Sequence, residues 1–190
     1  MTRKLLMKNA AELVTCRGTG PKIGAAMAEI GIVADGALWV EDGIIRRVGT
    51  TAEVLAGLDA SDAEVIDAAG RCVLPGFVDP HTHFLFAGHR EEEFSWRLRG
   101  DTYMQIMERG GGIVNTVRAT RQVSQEELAA IGWQRLSSML SFGVTTVEGK
   151  SGYGLDAATE CKQLAVMAQL NREHVVEVAP TFMGAHAVPP

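Results

Sequence analysis

The sequence predicts an α/β fold in which a β-rich leader is followed by parallel strand–helix units. Three observations carry that prediction. Up to about residue 70 the apolar residues come in short runs broken by turn residues. From residue 71 onward, strand-like runs alternate with long amphipathic helical segments. The side chains able to do chemistry fall at the C-terminal ends of those later runs.

Within the leader, "ALWV" and "GIIRRVG" flank "EDG" at 41–43, and Asp-Gly between two apolar runs signals a hairpin. "EVIDAAGRCVLPG" adds a short strand, a Gly turn and a Pro-Gly turn. "CVLPGFVD" reads as the first strand of the second region. After a long segment with helical pieces comes "SQEELAAIGWQRLSSMLSFG", which opens with the capping box Ser124-x-x-Glu127 and stops at Gly143. Leu128, Ile131, Leu136, Met139 and Leu140 share one face of that helix. "VTTVEGK" is a buried strand, "DAATECKQLAVMAQLNRE" a helix opened by Asp156, and "HVVEVAPTFMGAH" a third strand. His81 and His83 follow the first strand, Glu148, Lys150 and Tyr153 the second, His186 the third. In a (β/α)8 barrel that end of the strands is the catalytic rim. A barrel has eight strands, and about three βα units are counted from residue 71, so this stretch alone cannot close one.

Composition narrows the function. With 190 residues, 46% hydrophobic and 22% charged, the chain has the apolar material for a substantial core. A formal net charge of -5 and the lack of any Lys/Arg block argue against nucleic acid as a partner. Cys16, Cys72 and Cys161 are odd in number, far apart and without C-x-x-C spacing, which predicts no disulfide framework or thiolate zinc site and fits a cytoplasmic location. No signal-peptide core and no 18-residue apolar run is found, so neither export nor a membrane span is expected.

"DPHTH" at 79–83 places two of the five histidines one residue apart at a strand end. Residues i and i+2 of an extended chain point to the same side, so His81 and His83 can share one ion. Imidazole suits zinc or iron, but a catalytic zinc usually takes three protein ligands. His89 and the acidic residues Glu91, Glu92 and Glu93 are read as a solvated loop with no spacing that compels a third contact. "GKS" at 149–151 is not a phosphate loop, because five residues rather than four separate Gly143 from Gly149. "RGGGI" at 109–113 is read as a flexible glycine turn that shapes a pocket rim. Arg90, from the residues alone, pairs at the surface with Glu91 to Glu93.

The leader, "VEDGII", "EVIDAAGRCVLPGFVDPHTH" and the strand–helix series resemble the metal-dependent amidohydrolases. "DPHTHFLFAGHREEEF", "GGGIVNTVRATR", "TTVEGKSGYGL" and "PTFMGAHAVPP" are similar to the branch that opens a cyclic amide during histidine degradation. The resemblance implies a small β-sandwich domain over 1–70 and the N-terminal part of a (β/α)8 TIM barrel over 71–190. It further implies that His81 and His83 are two ligands of one Zn2+ or Fe3+ ion. Arg90, Tyr153 and His186 match substrate-binding positions, Tyr103 is a further contact, and His186 is a local acid–base candidate. A guanidinium suits a propionate carboxylate, which it can hold by two parallel hydrogen bonds. The remaining ligands are expected beyond this stretch, leaving the isolated chain inactive, and the complete protein is expected to be a homodimer acting on a small molecule. Gly149 is smaller than the aliphatic residue expected at its position. Two other readings stay open: a heterocyclic-base aminohydrolase of the same superfamily, and a non-catalytic interaction fragment.

Overall fold

The computed structural model describes residues 3–189. The chain divides into two compact units, Met1–Pro75 and Gly76–Pro190. The fold is α/β, with one mixed sheet in the first unit and one parallel sheet in the second.

The first unit is built on β1 (Lys4–Val14), β2 (Ile32–Glu41), β3 (Ile44–Thr50), a short helix α1 (Thr51–Leu55), β4 (Glu64–Asp67) and β5 (Cys72–Val73). Its sheet runs β3-β2-β1-β4, with β5 also pairing β1. The β2–β3 hairpin turns at Asp42 and Gly43, whose φ values of 50° and 78° are the left-handed pair that a two-residue turn needs. Leu6, Ala37, Trp39 and Val54 are buried as one cluster, so α1 covers one face of the sheet. Thr50 and Glu53 form a reciprocal cap at the start of α1.

The second unit contains β6 (Phe77–Thr82), α2 (Glu91–Leu98), α3 (Tyr103–Glu108), α4 (Gly112–Gln122), α5 (Gln125–Ser141), β7 (Val144–Lys150), α6 (Ala157–Glu173) and β8 (Glu177–Thr181). Its strands lie parallel in the order β6-β7-β8, as the strand–helix alternation predicts. Pro80 and Pro180 sit in the outer two of these strands, where a missing N–H is tolerated. The core joins Leu85, Val147 and Val178 to Leu128 and Leu136 of α5 and to Val166, Met167 and Leu170 of α6. Ser124 and Glu127 cap α5 reciprocally, and Asp156 caps α6 by accepting from the Thr159 N–H. Gly132 lets α5 approach closely, since a Cβ there would lie 2.5 Å from Leu170 Cδ1. Gly149 has the same explanation: its Cβ would stand 2.8 Å from Phe84 and 3.0 Å from Met167, leaving no room for an aliphatic side chain.

Three expectations are corrected. "CVLPGFVD" is two strands, not one: Cys72–Val73 pairs with β1 in the first unit, and Phe77–Thr82 pairs with β7 in the second. Pro75-Gly76 is the break between them. The acidic run is not a solvated loop but the first turn of α2, with Glu93 buried. Three acidic residues at a helix N-terminus meet the positive end of the helix dipole. The predicted face of α5 is narrower than drawn: Leu128 and Leu136 are buried, whereas Leu140 is exposed. No helix among the described residues is long and apolar enough to cross a membrane.

Candidate functional site

The parallel sheet brings three of the predicted residues together. His83 follows β6, Tyr153 follows β7 and His186 follows β8. The His83 and His186 rings are stacked at 4.5 Å and 11°, and Tyr153 lies 5.0 Å from His83 and 5.5 Å from His186. Phe86 closes the group edge-on to Tyr153 at 5.5 Å.

The protonation chemistry follows from this packing. Burial, then the neighbouring His186, push His83 below the ordinary histidine range, with Lys150 and His81 adding to the effect. The neutral ring is the form that binds a metal. Its Nδ1 is buried and has no hydrogen-bond partner. His186 Nδ1 lies 3.1 Å from the Gly152 carbonyl, which can only accept, so Nδ1 carries the proton and leaves the Nε2 lone pair in the neutral ring. At the end of β7, buried Lys150 pairs with Glu148, and Thr181 donates to the same carboxylate at 2.8 Å. The Lys150 ammonium holds the Glu148 carboxyl below its usual range, with Thr181 reinforcing it.

His81, Arg90 and Tyr103 stand apart from the ring cluster in their contacts. His81 is exposed at the end of β6. Arg90 is the residue before α2; its guanidinium lies 4.0 Å from Glu93 and lines a polar cavity of about 230 Å3 with His89, Trp96, Arg109 and Asn115. Gly110 and Gly111 form part of that cavity's wall, whereas Gly112 and Ile113, expected in the same glycine turn, begin α4. Tyr103 is exposed on α3. Among the described residues no group of three or more His, Cys, Asp and Glu could hold a metal ion.

Two carboxylates escaped the sequence reading. Glu93 Oε1 accepts from the Gly112 N–H at 2.6 Å, which fixes the start of α4, but 19 residues separate the partners and no local spacing reveals the contact. Glu160 accepts from the Gly152, Gly154 and Leu155 N–H groups. A glutamate one turn into a helix that follows a glycine-rich segment was a signal available in "SGYGLDAATE".

The histidines gather past the strand ends, the side on which barrel enzymes carry their sites, and residues 64–114 match the model of the amidohydrolase family. Solved structures share the fold. E. coli guanine deaminase superposes with a TM-score of 0.60 at 16% identity, over 95% of this chain and 36% of that one. A mutant atrazine chlorohydrolase from Arthrobacter aurescens TC1, complexed with zinc and atraton, gives 0.61 at 16% identity, over 93% and 35%.

More narrowly, the chain resembles the imidazolonepropionases over nearly all its length. It is 58% identical to that of Parabacteroides distasonis over 187 residues, 98% of this chain and 45% of the relative. Against that of Clostridium tetani it is 51% identical over 185 residues, 97% of this chain and 44% of the relative. The chain thus spans about half the length of the curated relatives it matches.

Proposed function

We propose that the complete protein hydrolyses the cyclic amide C–N bond of 4-imidazolone-5-propanoate to N-formimidoyl-L-glutamate in histidine degradation. The observation that carries this reading is the ring cluster of His83, Tyr153 and His186 past three parallel strand ends, with a buried, unpartnered Nδ1 on His83. Identity of 58% to an imidazolonepropionase supports the choice of substrate.

Imidazole nitrogens suit either Zn2+ or Fe3+, which His81 and His83 would hold together with ligands in the part of the relatives' length that this chain does not span. When bound, such an ion lowers the pKa of water toward about 7 and polarises a carbonyl. The chain's own residues do the rest. Tyr153 and His186 hydrogen-bond the imidazolone ring, and His186, with its proton on Nδ1, offers Nε2 to take or return a proton as the C–N bond breaks. Arg90 holds the propionate, and Tyr103 adds a further contact. The same reading, with the boundary moved from 70/71 to Pro75-Gly76, makes the first unit a β-sandwich domain and the second the first part of a (β/α)8 barrel in a cytoplasmic homodimer. Its partner is a small molecule, not nucleic acid or a membrane.

The test is turnover of imidazolone propanoate by the complete, metal-loaded protein, with Arg90→Lys as the discriminating variant. A lysine keeps the charge but loses the paired hydrogen bonds, about 1.5–3 kcal/mol of transition-state stabilisation. That is roughly ten- to over a hundredfold in kcat/KM. The loss should be selective for the native substrate over an analogue without the carboxylate. Equal losses on both, or none, would remove Arg90 from the site; failure of the unsubstituted protein to consume imidazolone propanoate while opening other cyclic amides would sink the assignment.

A further inference from the structure

The segment between β7 and α6, Ser151 to Asp156, has much of its backbone held by side chains from elsewhere in the chain. Three of its donors converge on one side chain: Gly152 N–H reaches Glu160 Oε2 at 2.9 Å, and the Gly154 and Leu155 N–H groups reach Oε1 at 2.8 and 2.9 Å. A concavity of convergent backbone N–H groups is a nest for an anion. Here the anion is the chain's own carboxylate, and Glu160 is only 3% exposed. Three donors converging on two oxygens require a head that only accepts.

The glycines are required by this closeness. A Cβ on Gly152, at φ 110°, would stand 2.7 Å from His186 Cβ, and one on Gly154 would stand 2.8 Å from the Glu160 nitrogen. The outward-facing groups of the same segment touch the ring cluster. Gly152 donates its N–H to Glu160 while its carbonyl faces His186 Nδ1, and Tyr153 lies between two residues that Glu160 binds. On the far side, Arg121 donates to the Gly154 carbonyl at 2.8 Å and ties the segment to α4.

We propose that Glu160 is a positioning residue for the hydrolytic site: by filling the Gly152–Leu155 nest it sets where Tyr153 and His186 stand. Glu160 touches neither ring and acts through the backbone between them. This rests on the functional reading above as regards the reaction, but the geometry it asserts can be judged without turnover.

The experiment uses the complete protein and Glu160→Gln. The glutamine is the same size but turns an NH2 toward a backbone N–H, so at least one of the three donors loses its acceptor. The variant should lose roughly ten- to a hundredfold in kcat/KM, the scale on which small misplacements of reacting groups act. On a Tyr153→Ala, His186→Asn background the same change should cost less than about twofold, because the groups it positions are gone. The crystal structure of the variant should show Tyr153 or His186 moved from contact with His83. A lowered Tm with kcat/KM intact, losses that multiply on the double-variant background, or unmoved rings would each overturn the proposal. Should the variant not fold, hydrogen exchange on the unsubstituted protein decides: slow exchange of the Gly152, Gly154 and Leu155 amides supports the nest, and exchange at solvent rates refutes it. If the unsubstituted protein fails to turn over imidazolone propanoate, the substrate reading falls alone, since exchange and crystallography still judge Glu160.

Discussion

The two segments that leave β6 and β7 carry neighbouring parts of the same ring cluster, yet their backbones are satisfied from opposite distances. After β7, one carboxylate five to eight residues further along the chain binds three N–H groups. After β6, the stretch Phe84–Ala87 lies outside any strand and is held by side chains from three helices. Arg135 of α5 donates to the Phe84 and Phe86 carbonyls at 2.8 and 2.6 Å, and Gln163 of α6 donates to Leu85 O at 2.8 Å. Thr120 of α4 accepts from the Ala87 N–H at 3.1 Å. Those partners lie 33 to 78 residues away in sequence. Both segments answer the requirement that buried backbone groups be paired. One answer is local, and the other depends on the whole helical layer being packed. Substitutions at Thr120, Arg135 and Gln163 should therefore reach the segment after His83 while leaving the Glu160 nest intact.

Arg135→Ala should separate the two segments most strongly. It removes two charge-assisted hydrogen bonds and the guanidinium stacked 3.8 Å from the Phe86 ring. The expected loss is roughly 3 kcal/mol or more, read as a lower guanidinium chloride midpoint, with exchange accelerated at Leu85–Ala87 before Gly152–Leu155. Equal acceleration in both segments would break the distinction. Thr120→Val keeps the shape but leaves the Ala87 N–H and the Thr116 carbonyl without the hydroxyl, at a cost of about 2 kcal/mol. Gln163→Leu should cost only about 1 kcal/mol, because the lost bond to Leu85 is partly offset by removing the buried, unpartnered Oε1. A cost above Thr120→Val would mean that a water satisfies that oxygen.

The smallest effect belongs to the local side of the comparison. The Thr159 N–H, followed by its hydroxyl and Arg121, holds the Asp156 carboxyl below the ordinary aspartate range. A depressed folded-state value contributes stability that is present above the unfolded value, about 3.9, and is lost as pH falls through the folded one. Asp156→Asn keeps a competent cap, so at pH 7 it should differ from the parent by less than about 1 kcal/mol. Below about pH 4 the gap should shrink as the parent protonates, and thermal melts across pH 2–7 measure it. A gap that widens toward acid would show the opposite sign and refute the assignment.

Legibility in the sequence follows the same division between near and far. Asp42-Gly43, the Ser124–Glu127 box and the Asp156 cap were readable because each device lies within four residues of what it controls. The parallel order of β6, β7 and β8 was readable from the long helices that precede β7 and β8. "CVLPGFVD" was misread because hydrophobicity reports burial and not which sheet a strand joins; only Pro75-Gly76 marked the boundary. Glu93 reads as a solvated charge because its partner, Gly112, lies 19 residues on, beyond α3. For the candidate site, the strand-end placement put His83, Tyr153 and His186 on one side of the sheet, whereas the stacking of His83 on His186 joins residues over a hundred positions apart and has no local trace.

The long-range support of Phe84–Ala87 also sets a timetable on the ribosome. Gln163 emerges 78 residues after Leu85, a wait of roughly 4–16 s at about 5–20 residues per second. Glu160 follows Gly152 by eight residues, so the other segment waits roughly 0.4–1.6 s. During the longer interval Phe84, Leu85 and Phe86 are uncovered in the nascent chain, an apolar stretch of the kind that chaperones bind and that misassociates when they are scarce.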